Sequence, residues 1–277
     1  MKWAKITSLC LTTLALFLSG CATDNGDSVG LNIGPQISSF FDSKSEAVVD
    51  ENKIKLDVII PVFDPGLSEE GSNYEEEGIW PELRRAEANR FAFMLKKAME
   101  NTEAFGAVRV TPDHTATGDL YVLGKIIESD GDDVEIEIKV VDISGRHWFT
   151  RSFDHDVDSS YYKSIRNKGK DPYTPMFEEA ANRVALELED YENTQFEKIT
   201  RIAEVRFGVN MSEDAFSKML TIKNGVATLI SFPSEDDPML NRTRAVRVRD
   251  QIFVDDLQET YRAFNVQMEP SYLVWQE

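Results

Sequence analysis

The sequence predicts an α+β fold: a small sheet of one buried strand plus a three-strand antiparallel meander, with helices on one face, followed by a mainly helical C-terminal region. Three features carry this expectation. A strand that becomes apolar on both sides spans Lys53 to Phe63. Alternating segments separated by turn residues run from Asp119 to Phe153. Stretches opening at Pro81 and Pro175 repeat apolar residues at helical spacing.

In the first strand Ile54, Leu56, Val58 and Ile60 share one face, and Ile59 and Val62 make its end apolar on both sides, as in a central strand. Pro65-Gly66 closes it, and Ser68 to Gly78 is an acidic loop holding Glu69, Glu70, Glu75, Glu76 and Glu77. Pro81 suits the first helical position, where its fixed φ and missing N–H cost nothing. Ala88, Phe91, Leu95, Ala98 and Met99 form the stripe of that helix, which is expected to end near Phe105 with Gly106 as a left-handed stop. A short strand follows at Ala107–Val110.

In the meander, Asp119–Glu128 has apolar residues on both faces. Val134–Val141 alternates strictly, Val134, Ile136, Ile138 and Val140 inward and Glu135, Glu137 and Lys139 outward, and Arg146–Phe153 is the third strand. The turns are Ser129-Asp130-Gly131-Asp132-Asp133 and Asp142-Ile143-Ser144-Gly145. Lys163 to Tyr173 is a basic loop. The helix from Pro175 carries Phe177, Ala181, Val184 and Leu188, and its period continues through Tyr191, Phe196, Ile199 and Ile202. Met211-Ser212-Glu213 starts a short helix through Leu220, and Val226–Phe232 reads as a strand. Asp237-Pro238 caps a long amphipathic helix whose stripe is Val246, Phe253, Leu257, Tyr261, Phe264 and Met268. Three aromatics on one face must leave water, and the stripe is expected to pack on the chain's own body, against the helix of Phe177–Ile202.

The start of the chain is of a different kind. Lys2 and Lys5 precede a mostly apolar run, Ile6 to Leu18, which is too short for a membrane-spanning helix of about 20 residues. It ends in Leu18-Ser19-Gly20-Cys21. This resembles the lipobox of bacterial lipoproteins, in which cleavage precedes the Cys and its sulfur is acylated. The resemblance implies a signal peptide at residues 1–20, lipidation at Cys21 and, because Ala22 stands where Asp would retain the protein at the inner membrane, sorting to the outer membrane, facing the periplasm. Residues 21–52 then form a tether, rich in Asp, Gly, Asn and Ser over Asp24–Gly30, and a weakly patterned segment containing Phe40-Phe41. Residues 53–190 form the α+β domain and 191–277 the helical region.

Cleavage leaves 257 of the 277 residues, room for one large or two ordinary domains. A 42% hydrophobic content excludes a disordered chain. Cys10 is the only other cysteine and lies in the signal, so the mature chain has neither disulfide nor thiol chemistry. Losing Lys2 and Lys5 takes the formal charge from −19 to −21, a surface that repels nucleic acid and anionic headgroups. Arg242, Arg244, Arg247 and Arg249 spread over more than one helical face and read as a solvated, salt-bridged surface.

Residues 53–190 also resemble the periplasmic domain shared by the curli-secretion lipoprotein (CsgG-like) family, the N-terminal domain of the TolB family and the lipoprotein activators of peptidoglycan synthases. The matching parts are the strand Ile54–Phe63, the helix Pro81–Phe105 and the run Gly118-Asp119-Leu120-Tyr121-Val122-Leu123-Gly124-Lys125. Residues 191–277 lie outside the resemblance.

No catalytic, cofactor-binding or metal-binding residue is assigned. Asp154, His155, Asp156 and Asp158 alternate across a strand end; Asp130, Asp132, Asp133 and Glu135 lack the distant glutamate of a calcium loop; His114 has no nucleophile signature to serve, and His147 sits in a strand. The expected role is non-catalytic binding or assembly in the envelope, with the membrane as one partner through Cys21 and an envelope protein or a second copy as another. The alternative is a lipid-anchored hydrolase or a small-ligand or metal binder using Ser68–Gly78 or Asp154–Asp158.

Overall fold

The computed structural model describes residues 52–67, 74 and 78–277, all within the compact unit Ser45–Glu277. Cys21, Phe40-Phe41 and the glutamates of the acidic loop lie outside the described residues.

The fold is α+β: a five-strand mixed sheet, a two-strand hairpin and a helical C-terminal region. Strand β1 (Val58–Pro61) is an interior strand, second from the edge, with β2 (Val108–Thr111) parallel on one side and β3 (Leu120–Ser129) parallel on the other. Val58, Ile59 and Ile60 are all buried, the double burial expected of a parallel strand covered on both faces. The ladder is shorter than the apolar run from Lys53 because the approach to it is held by the far side of the chain. Ile54 N donates to Asn193 Oδ1, and Lys53 Nζ donates to the carbonyls of Leu188 and Glu189.

Helix α1 (Pro81–Asn101) crosses from β1 to β2 and buries the whole expected stripe from Ala88 to Met99. It stops earlier than Gly106. Thr102 folds back on Met99, with both its N–H and its Oγ1 donating to Met99 O, and Glu103 takes the left-handed turn at φ 57°. Gly106 N instead donates to Leu56 O and begins the β1–β2 pairing.

Strands β3, β4 (Asp133–Asp142) and β5 (His147–Asp156) form the expected meander. Leu120, Val122, Ile126, Val134, Ile136, Ile138 and Val140 face the core. Gly124 occupies an inward position in this series, and its bareness has a steric reason: a Cβ there would lie 2.3 Å from Cζ of Phe63, whose ring lies over the strand. Phe63 meets Phe91 edge-on, and Phe91 meets Phe177 edge-on at 5.2 Å, which ties α1 to α2 (Thr174–Glu189) on the inward face.

The stripe expected to continue to Ile202 belongs to two helices, α2 and α3 (Asn193–Met211). Between them Tyr191 stacks on Trp148 at 4.5 Å, and Glu192 and Gln195 form a reciprocal capping box. After the short α4 (Glu213–Phe216) comes a hairpin, β6 (Leu220–Lys223) with β7 (Val226–Leu229). The expected strand from Val226 is thus half of a pair. Its turn is Asn224-Gly225, both at positive φ (52° and 81°), the backbone that a two-residue hairpin requires. Helix α5 (Pro238–Gln276) completes the chain; Asp237 caps it by accepting from Met239 N and Leu240 N. Residues on both sides of position 190, Ile199 and Tyr272 among them, join one continuous core.

Candidate functional site: the C-terminal helix and its two polar seams

The first half of α5 meets the sheet through charge. Asp57 lies beside β1, and its N–H donates to Asp119 Oδ2 at 3.0 Å while its Oδ1 accepts from Ala107 N. Arg109 on β2 donates from Nη1 to Asp57 Oδ2 (3.2 Å) and from Nε to Asp255 Oδ1 of α5 (2.6 Å). Arg247 of α5 lies 3.6 Å from Asp119, a buried carboxylate whose pKa burial raises, with the Asp57 N–H and Arg247 pulling it partly back. Gln258 then treats the free edge of β2 as a strand would: its Nε2 donates to Val110 O (2.8 Å) and its Oε1 accepts from Val110 N (2.9 Å). An unpaired edge that could recruit another chain is thereby capped.

The last turns of α5 enter a second seam against α1. Glu87, 1% exposed, accepts at Oε1 from Ser129 Oγ (2.7 Å) and Tyr272 OH (2.8 Å), while Arg84 Nε lies 3.3 Å from its Oε2. Burial raises the Glu87 pKa, and the two hydroxyls and Arg84 offset part of that rise. Arg90, 1% exposed, donates from Nε and Nη2 to Asp171 Oδ2 (3.2 and 2.6 Å) and lies 4.7 Å from the centre of the Tyr272 ring. Gln276 Nε2 reaches Asp171 Oδ1. A cleft of about 220 Å³ opens beside this seam, walled by Trp80, Arg84 and Trp275. Glu87 and Ser129 also line this cleft, and the Ser129 hydroxyl, by donating to Glu87, ties the end of β3 to α1.

These seams set the rotation of α5. Its buried residues are Leu240, Thr243, Arg247, Val254, Asn265, Tyr272 and Gln276, which share one side of the helix and include five polar or aromatic-hydroxyl side chains. The apolar stripe from Val246 to Met268 sits about a quarter turn away at 3.6 residues per turn. Packing on the chain's own body holds for part of it: Tyr261 and Met268 touch the core, and Val246 and Leu257 are half-buried. Phe253 is 64% exposed and Phe264 36% exposed. Of the expected partner, the helix of Phe177–Ile202, α5 docks on the α3 part, and it docks on α1 and β2 as well. Its outward side also carries Val248, Ile252, Val266 and Val274.

The residues weighed from sequence take these places. Arg244 pairs with Glu204 (2.9 Å) and Glu235 (2.8 Å) and Arg242 and Arg249 are exposed, as a salt-bridged surface requires, but Arg247 is buried because the helix phase turns it toward Asp119. Asp130 Oδ1 accepts from the N–H of Asp132 and Asp133, which closes the β3–β4 turn. Asp158 accepts from Ser160 N, and His147 Nε2 contacts Thr150 Oγ1. Among the described residues no group of three or more His, Cys, Asp or Glu side chains is placed to hold a metal ion. Also among them, no helix is long and apolar enough to cross a membrane. Neither seam was found from sequence. The only signal for the second was the clustering of Arg84, Glu87 and Arg90 on one side of α1, which also fits a solvated face.

No family model, curated protein or solved structure matches the chain.

Proposed function

We propose that the protein is a lipid-anchored component of the bacterial envelope, held on the periplasmic face of the outer membrane through Cys21, with a non-catalytic role in binding or assembly. The observation that carries the binding role is the outward face of α5. A helix fixed at both ends by buried polar contacts cannot roll to hide Phe253 and Phe264, so a protein partner can bury them at little conformational cost. The export signal, the lipobox and the resemblance of residues 53–190 to envelope domains support the location.

Two experiments test the two halves separately. Cys21→Ser is expected to abolish incorporation of labelled palmitate, since Cys10 lies in the discarded signal and no mature thiol remains to carry the lipid. Retained label would overturn the anchoring. For binding, the solution mass of the unlipidated chain is measured alone and with envelope extract. A strict monomer that recovers no partner would count against the role; self-association would identify the partner as a second copy.

A further inference from the structure

The connection between β5 and α2 stands apart from a chain whose net charge is −19. Lys163, Arg166, Lys168 and Lys170 are exposed in eight residues, and none is ion-paired among the described residues. In their midst Ile165 is 92% exposed, the largest exposure among the large apolar side chains of the described residues. The loop is built to hold it there. A turn of 3-10 helix spans Ile165–Asn167, Asn167 Nδ2 donates to Tyr161 O, and Lys170 N donates to Asn167 O. Tyr161 and Tyr162 pack edge to face at 5.6 Å beneath the loop, on the rim of a cleft of about 270 Å³ shared with Leu273 of α5. The carboxylates that face it are Asp158, Asp132, Glu277 and Asp171, the last buried in its pair with Arg90, and none lies between Lys163 and Lys170.

We infer that this loop seats the domain on an anionic phospholipid surface, with Ile165 entering the acyl boundary and the four cations meeting lipid phosphates. An apolar tip ringed by Lys and Arg above tyrosines has the composition of an interfacial contact. Charges farther than about 8 Å from the surface are largely screened at physiological salt, so of the acidic side chains only the few beside the loop oppose the approach of this face. The choice of a lipid surface as occupant rests on the proposed anchoring, which places a membrane within reach of the loop.

The test uses the chain from residue 22 onward. It retains the whole described fold and, because Cys10 and Cys21 are the only cysteines, contains no thiol. Ile165→Cys is labelled with an environment-sensitive dye, and Val248→Cys, on the exposed side of α5, serves as the control. On vesicles of equal phosphatidylglycerol and phosphatidylcholine, the dye at 165 is expected to shift to the blue, while the dye at 248 does not. Vesicles of phosphatidylcholine alone should give no shift. Each cation near an anionic surface contributes about fivefold in partitioning, so Lys163→Gln with Lys168→Gln should weaken binding about 25-fold. No shift at 165, an equal shift at 248, equal binding to phosphatidylcholine, or binding indifferent to the two lysines would each overturn the inference. Residue 21 is missing from this chain, so the loop and the anchor can fail independently.

Discussion

Replacing Arg90 with alanine is expected to destabilise the protein by about 3–5 kcal/mol, the usual cost of breaking a buried ion pair from one side. Arg90 joins three parts of the chain that are far apart in sequence: α1, which carries it; Asp171 ahead of α2; and Tyr272 near the end of α5. Alanine would leave the Asp171 carboxylate buried with only the turn N–H of Tyr173 and the distant amide of Gln276 on its other oxygen. The Tyr272 ring would lose its cation. Arg90→Lys keeps the charge but not the paired Nε and Nη2 donors or the flat contact with the ring, and should fall between alanine and the native protein. Urea unfolding measures this as a lowered midpoint at unchanged slope. A midpoint within error of the native one would mean that Arg90 and Asp171 are hydrated and the seam is open.

Deleting residues 238–277 should have the larger effect. Leu240, Val254 and Tyr272 leave the core with α5, each contributing about 1.5–3 kcal/mol through burial. Glu87 loses the Tyr272 hydroxyl, Asp119 loses Arg247, and the free edge of β2 loses Gln258. For a chain of this size each kcal/mol moves the melting temperature by about 2–4 °C, so a fall of about 10 °C or more is expected in thermal unfolding, with lower solubility from the bared edge. A truncation that melts like the full protein would show α5 to be an appendage.

The sheet and the first helices were legible in the sequence because each of their rules is local. Period-two alternation from Val134 to Val140 needs only neighbouring residues to be read, and so does the stripe from Ala88 to Met99. Boundaries were less legible where a distant contact decides them. The ladder of β1 is short because Asn193, some 139 residues away, takes the N–H of Ile54. The helix expected to run on to Ile202 breaks where Tyr191 leaves the helical path to stack on Trp148. The hairpin at Asn224-Gly225 carries a local signal, the commonest pair for a two-residue turn, but the sequence reads Leu220 as the end of the helix before it and gives Ile222 to no element.

The rotation of α5 was not legible at all. Hydrophobic periodicity assigns the buried side to Phe253, Leu257 and Phe264, yet the side that docks presents Thr243, Arg247, Gln258 and Asn265. Arginine and glutamine become core-facing only when their partners are known. Asp119 and the backbone of Val110 are more than a hundred residues upstream. The same contacts that hid the docking face from the sequence leave the apolar stripe partly in solvent, and on that the binding role rests.

The most direct measurement is therefore the double substitution Phe253→Asp with Phe264→Asp, followed by thermal unfolding and by solution mass with and without envelope extract. The melting temperature should fall by only a few degrees, because Phe253 is 64% exposed and Phe264, at 36%, gives up only part of its packing. Self-association or partner recovery should be lost. If the variant instead melts far lower, or melts unchanged and still assembles, the outward face of α5 is not the surface by which this protein binds.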